Sequence, residues 1–265
     1  MFLFGPSAKR RLASQIQVLL VVMLTTLALC APAQAALDPA ELAVLESINA
    51  TAGGGEIWPV GAGGSDPCAD RWPGVTCDVT GTHVTELHLY SSPRLSGTLP
   101  DISPLKKLQV LHAYNNTGLT GEIPPLSGLI NLRSVNFSFT RMTGPIPSLS
   151  GLTKLEEFIV VTSRLTGSVP DLSGLTALHT FYVADNRLTG SIPPLRDLPA
   201  LRMLILSANQ LTGSIPSLSE LPALESLSLF SNQLSGPVPI RTPTLIGAAL
   251  CPNFLTLASD PPSAK

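Results

Sequence analysis

Between residues 95 and 239 the same six-residue phrase returns seven times, as LSGTLP, LTGEIP, MTGPIP, LTGSVP, LTGSIP, LTGSIP and LSGPVP. The first residues are Leu95, Leu119, Met142, Leu165, Leu188, Leu211 and Leu234, so the spacing is 24 once and 23 thereafter. A fixed period of this length excludes an ordinary globular core and specifies a solenoid, in which each repeat is one coil stacked on its neighbours. Whatever such a chain does, it does with a repeated surface.

One coil, residues 201 to 223, shows how. Leu204 and Leu206 alternate with Met203, Ile205 and Ser207, the period of a short strand with one face inward. Asn209 turns inward after it, Leu211, Ile215, Leu218 and Leu221 complete the apolar side, and Pro216 and Pro222 discourage a helix on the return path. Burying each Leu contributes roughly 1.5 to 3 kcal/mol before entropy, but only when coils cover it on both sides, so both ends need caps. The chain divides into residues 36–82 as an N-terminal cap, 83–239 as seven repeats and 240–265 as a C-terminal cap or tail. In the cap, residues 38 to 50 read as an amphipathic helix: Asp38 caps it, Pro39 suits the first position, Glu41 completes a capping box, and Leu42, Leu45 and Ile48 share a face. Asn116, Asn186, Asn209 and Asn232 occupy one register, with Ser92, Thr140 and Ser163 substituting; buried amides there are expected to bond backbone groups, a structural role.

Residues 1–35 read as a secretory signal peptide. Lys9, Arg10 and Arg11 precede an apolar run from Val18 to Leu29, and Ala33-Gln34-Ala35 offers a cleavage site. The run is too short for a spanning helix, so no stable membrane insertion is expected after signal removal; Cys30 leaves a lipoprotein alternative. Cleavage would shift the formal charge from −2 to −5. With 13% charged residues and no cluster of Lys and Arg on one face after residue 11, a nucleic-acid partner is not expected. Export implies an oxidising compartment, where a short Cys68–Cys77 bridge would tie down the segment around Trp72. Cys251 is then left over, which suggests an intermolecular bridge, a buried thiol or a shortened C-terminal cap.

The phrase LxxLxLxxNQLTGSIPxL resembles the plant-type leucine-rich repeats of receptor-like kinase ectodomains and polygalacturonase-inhibiting proteins. The helix followed by DPCADRWPGVTCD resembles their N-terminal cap. The resemblance implies an α/β solenoid: a right-handed leucine-rich repeat superhelix with a parallel concave sheet, an N-terminal helical cap and an extra short strand from each LTGxIP phrase. The repeats depart by running IPxLSGL, one residue short, by spacing the cap cysteines Cys-x8-Cys, and by having one cysteine in LCPNFL. A secreted bacterial relative fits these departures as well as a plant source does.

No HExxH, GxSxG, Walker or GxGxxG element is present and only four histidines exist, so no catalytic residue, cofactor or metal site is expected. One constellation stands out. Outward strand positions stack in columns, which puts His88 beside His112 and Tyr90 beside Tyr114, with Glu86 next to them and Tyr182 further along. These six residues, Glu86, His88, Tyr90, His112, Tyr114 and Tyr182, are the candidate ligand-binding site of the concave face. Tyr and His on a rigid scaffold supply contact area at small entropic cost. Simple cross-strand covering of the sheet is the bland alternative, and a metal held by His88, His112 and Glu86 a third. Asn49, Asn115 and Asn136 fit the glycosylation sequon, and a glycan on Asn136 would obstruct the face. The expectation is a secreted or cell-surface, non-catalytic protein that binds a protein or cell-surface ligand through its concave face. The alternatives are an inhibitor of a wall-degrading glycosidase and a structural or adhesive component.

Overall fold

The computed structural model describes residues 36–51, 58, 66–239 and 244–256. The expected signal peptide, Cys30 and the extreme C-terminus lie outside the described residues. No helix among the described residues is long and apolar enough to cross a membrane.

Alternating Leu, Val and Phe under outward polar residues makes one short strand per coil, and the strands stack into a nine-stranded sheet. Its members are Val75–Cys77, Val84–His88, Val110–His112, Ser134–Asn136, Glu157–Ile159, Thr180–Tyr182, Met203–Ile205, Ser226–Ser228 and Gly247–Ala249. All pair in parallel except the first, which is antiparallel to the second. The inward residues Leu87, Leu111, Val135, Phe158, Phe181, Leu204 and Leu227 form one continuous apolar column, with the Phe158 and Phe181 rings stacked 5.5 Å apart. The expected extra strands also form. Ser96–Gly97, Gly118–Glu122 and Arg141–Thr143 make one parallel ribbon, and Thr189–Ser191, Gln210–Gly213, Gln233–Pro237 and Phe254–Thr256 another. This is the solenoid that the fixed period specifies, with the parallel sheet, the N-terminal helix and the extra short strands that the leucine-rich repeat resemblance implies.

The buried amides set the spacing between coils. Asn209 Oδ1 accepts from the Leu188 N–H of the preceding coil at 3.0 Å, and its Nδ2 donates to Val183 O of that coil and to Leu206 O and Ser207 O of its own. Asn186 and Asn232 repeat this arrangement. Where hydroxyls substitute, Thr140 and Ser163 bond each other at 3.1 Å and both reach Phe137 O. Each amide also braces a left-handed turn: Ser91, Asn115, Phe139, Thr162, Asp185, Ala208 and Ser231 all have φ between 51° and 65° at one register of successive coils. Such a backbone costs of order 1 kcal/mol or more for a β-branched or bulky residue, so each coil holds its turn against a local preference.

Several details differ from the sequence expectation. The helix spans Pro39–Thr51, and Asp38 does cap it, accepting from Ala40 N at 2.8 Å. Glu41, however, does not close a capping box. It is buried and crosses to the first coil, where it meets His83 Nδ1 at 2.8 Å and accepts from Val84 N at 2.6 Å, joining cap to solenoid. On the inward helical face Leu42 is only half-buried, whereas Val44 joins Leu45 and Ile48 in the core. Asn49 is also buried and bonds the Trp58 backbone, so a glycan there would open the cap. Beyond Pro239, Gly247–Ala249 and Phe254–Thr256 extend both sheets, and Asn253 enters the amide register, accepting from Leu234 N at 3.0 Å.

Cys68 and Cys77 form a disulfide with their Cα atoms 5.7 Å apart, beside the packed Trp58 and Trp72 rings. Cys251 is free and exposed. Alkylation without reductant should therefore modify Cys251 and spare Cys68 and Cys77; labelling of all three would contradict the bridge. Asn209→Ala removes one acceptor and three donor contacts from a buried site and should destabilise the fold by roughly 1 to 3 kcal/mol. An unchanged denaturation midpoint would mean that water replaces the amide.

Candidate functional site

The coil period fixes which outward side chains meet. Glu86, Leu87 and His88 pair with Val110, Leu111 and His112, which pair in turn with Ser134, Val135 and Asn136. Leu87, Leu111 and Val135 are buried, so their neighbours must face outward. His88 thus stands beside His112, with ring centroids 5.4 Å apart and nearly perpendicular. One step on, the Tyr90 and Tyr114 rings stack at 4.9 Å, tilted by only 10°. Tyr90 keeps 47% of its surface exposed. Five of the six expected site residues therefore form one cluster. Tyr182 is separate: it sits between Ile159 and Ile205 in an apolar part of the same sheet.

Two residues outside the expected set complete the cluster. Glu86 Oε2 lies 3.1 Å from His88 Nε2. His112 Nε2 lies 2.8 Å from Ser134 Oγ, and the Ser134 hydroxyl donates to Glu157 Oε2 at 3.0 Å. Because that hydroxyl spends its proton on Glu157, its oxygen accepts from His112 Nε2–H, which sets the His112 tautomer. Two hydrogen-bonded groups, Glu86–His88 and His112–Ser134–Glu157, therefore cross four strands, joined by the edge contact of the two imidazoles. Ser134 and Glu157 stand in the Glu86 column of the sequence, so their positions were legible; their joining to His112 was not.

The chain constrains the chemistry. Among the described residues, no three His, Cys, Asp or Glu side chains converge as metal ligands, and the His88 and His112 Nε2 atoms are already engaged. The other two histidines lie elsewhere: His83 holds Glu41, and His179 Nδ1 meets Thr180 Oγ1 at 3.1 Å. No lysine or arginine stands in the outward columns, so the cluster presents carboxylates, imidazoles and phenols on an electronegative patch. Burial, and next the charge of His88, hold His112 below the usual histidine range, against the opposing pull of Glu157 and Glu86.

A family model of leucine-rich repeats in two copies matches residues 199–239. An inactive leucine-rich repeat receptor-like serine/threonine-protein kinase from Arabidopsis thaliana is 51% identical over 49 residues, 18% of this chain and 8% of that protein. Among solved structures, the plant peptide hormone receptor RGFR1 in complex with RGF2 superposes with a TM-score of 0.62 at 32% identity, over 66% of this chain and 29% of the receptor. The PEPR1–AtPEP1 structure does so with a TM-score of 0.57 at 27% identity, over 77% of this chain and 32% of that one. Fold and matches define the class: a leucine-rich repeat solenoid. Within it, the chain is similar to plant receptor ectodomains and spans less than a third of the length of these two.

The depressed His112 proton affinity carries a sign. A histidine that holds its proton less tightly folded than unfolded contributes no penalty above the unfolded value near 6.5, and stability falls as pH drops below it, through the folded midpoint. The His112 ring signals should therefore titrate with a midpoint below 6.5, and Glu157→Gln should lower it further by removing a favourable charge. A midpoint that stays or rises in Glu157→Gln would show that Glu157 does not act on the ring.

Proposed function

We propose that this chain is a secreted, non-catalytic recognition module that binds a protein or cell-surface ligand through the concave sheet, with the Tyr90–Tyr114 and His88–His112 cluster as the principal contact. The stacked, partly exposed tyrosine pair carries the reading. Its rings stand over a floor of Leu87, Leu89, Leu111 and Ala113, all buried, so the aromatic surface is organised before any partner arrives. Little rotamer freedom remains to be lost on binding, which is the condition under which aromatic side chains become binding hot spots. The similarity to receptor ectodomains, one of them solved in complex with its peptide hormone, supports a protein or peptide partner.

Tyr182 belongs to the same reading as a second contact, in the apolar stretch with Ile159 and Ile205. A ligand spanning the sheet would meet polar aromatic groups at one end and apolar groups at the other.

Replacing Tyr90 and Tyr114 together by Ala should leave the thermal midpoint unchanged, because neither ring supports the core. It should weaken ligand capture by about 2 kcal/mol or more, roughly thirtyfold. Lys154→Ala and Arg196→Ala, on exposed positions away from the cluster, serve as controls and should have little effect. Equal loss from both sets, or none from either, would favour a scaffold that contributes only spacing.

A further inference from the structure

The segment that leads into each phrase carries a feature the concave site does not use; Arg141 opens a strand, and Arg164 and Arg187 follow it across the gap between the two ribbons. In three successive coils the residue before the phrase is arginine: Arg141, Arg164 and Arg187, all exposed, while the residues that follow them, Met142, Leu165 and Leu188, are buried. The backbone repeats with them, Arg164 N donating to Met142 O at 2.9 Å and Arg187 N to Leu165 O at 2.8 Å. In the neighbouring coils the same register sets Thr120 opposite Arg141 and Thr189 opposite Gln210. By this register each arginine lies across from the threonine of the coil before it, so successive arginines step diagonally over the face at on the order of 8 Å.

None of the three has an ion-pair or hydrogen-bond partner for its guanidinium among the described residues. The ion pairs formed there are Glu41–His83, Glu86–His88, Arg133–Glu156 and Arg202–Glu225. Two carboxylates adjoin the row: Glu122, opposite Thr143, and Asp185, two residues before Arg187. Neither pairs with it. Three unneutralised cations, each within about one Debye length of the next in a chain of net charge −2, reinforce one another's potential.

Beside the arginines run hydroxyls. Thr143, Thr166 and Thr189 stand two residues on, and Ser168, Ser191 and Ser214 extend the exposed face, over glycines 167, 190 and 213 that keep the surface low. One exposed aromatic, Phe139, lies two residues before Arg141 at the start of the row; the residues at its register in the next two coils, Thr162 and Asp185, are not apolar, so no apolar surface repeats along the face among the described residues. The chain also lacks the dense basic clustering that nucleic acid requires.

We propose that this face binds a polyanionic glycan, a polymer whose sugar units repeat carboxylate or sulfate groups. A regularly repeated anion answers a regularly repeated guanidinium, which can hold either group through paired N–H donors. The threonine and serine hydroxyls are placed to bond sugar hydroxyls alongside. The site is distinct from the tyrosine cluster and would anchor the module in an acidic matrix while leaving the concave sheet open.

The test is binding of the full chain at low salt to alginate, which carries carboxylates, to dextran sulfate, and to neutral dextran. Expected are retention by one or both charged polymers, no retention by neutral dextran, and weakening with added salt; which polymer binds identifies the anion. Arg141→Gln with Arg164→Gln and Arg187→Gln should weaken binding about tenfold or more. The triple Lys variant, which keeps the charge but not the paired donors, should bind more tightly than the triple Gln variant and less tightly than the unchanged chain, which separates lost charge from a lost fold. Arg133→Gln with Arg202→Gln, two arginines already paired, should change little. Absence of charged-polymer binding, equal loss from the Arg133 and Arg202 control, or equally tight binding of single-stranded DNA would overturn the proposal.

Discussion

A buried polar side chain at one register of the coil, an amide at Asn116, Asn186, Asn209 and Asn232 and a hydroxyl at Thr140, governs this architecture. The leucines supply the driving force for collapse, but apolar burial is non-directional and would tolerate coils that slide or rotate against one another. The amides do not tolerate it. Asn186, Asn209, Asn232 and Asn253 each accept from a leucine N–H one coil back and donate to carbonyls of two coils, so displacement by a residue would strand several buried polar groups together. The fixed register makes columns out of repeats, and both surface sites consist of columns.

The same constraint separates the work of the two faces. On the nine-stranded sheet, coil-to-coil pairing sets His88 beside His112 and Ser134 between His112 and Glu157, a combination of side chains that is local and occurs once. On the other surface, each arginine stands across from a threonine of the preceding coil, and the repeat of that pairing makes a periodic array of cations and hydroxyls. Specific contacts suit the first arrangement and a polymer suits the second. The N-terminal cap stands apart from both. Its link to the solenoid runs through Glu41, His83 and Val84 and through the antiparallel pairing of Val75–Cys77 with Val84–His88, while Asp66 accepts from Leu37 N within the cap. Burial raises the Asp66 carboxyl, but donors from Leu37, Ala69 and Cys68 outweigh it and leave the group below the usual carboxylate range. Its contribution to cap stability is therefore present above the unfolded carboxylate value and lost as pH falls through the folded one.

Much of this was legible because the period is strict. Once Leu204 and Asn209 were placed, every equivalent residue was placed, and the pairing of His88 with His112 and of Tyr90 with Tyr114 followed from counting. Where the period lapses, the reading lapsed with it. Asn253 arrives 21 residues after Asn232 and is not followed by the LTGxIP phrase, so the continuation of both sheets past Pro239 left no mark in the pattern. Glu41 shows a different limit: a glutamate three residues after a cap looks the same in sequence whether it closes on its own helix or crosses to another element, and only packing decides. The joining of Ser134 to His112 is of that kind too, since counting places side chains in columns but says nothing of their rotamers. Tyr182 shares the outward face with the others, but two strands lie between its own and that of His112.

The amide bonds also have a direction. Each asparagine reaches toward the N-terminus, so the two faces of any coil are not equivalent: one offers an unmatched leucine N–H and the other an amide seeking carbonyls. Coils can therefore join only head to tail, in the order of synthesis, and within the run of Asn186, Asn209 and Asn232 a whole coil can be duplicated or deleted without altering the amide junctions, provided the cut falls at the same point in successive units. A cut at any other point would mismatch donors along the seam. The length of this solenoid is thus a quantity that changes in whole coils, and the reach of each of its surfaces changes with it in equal increments.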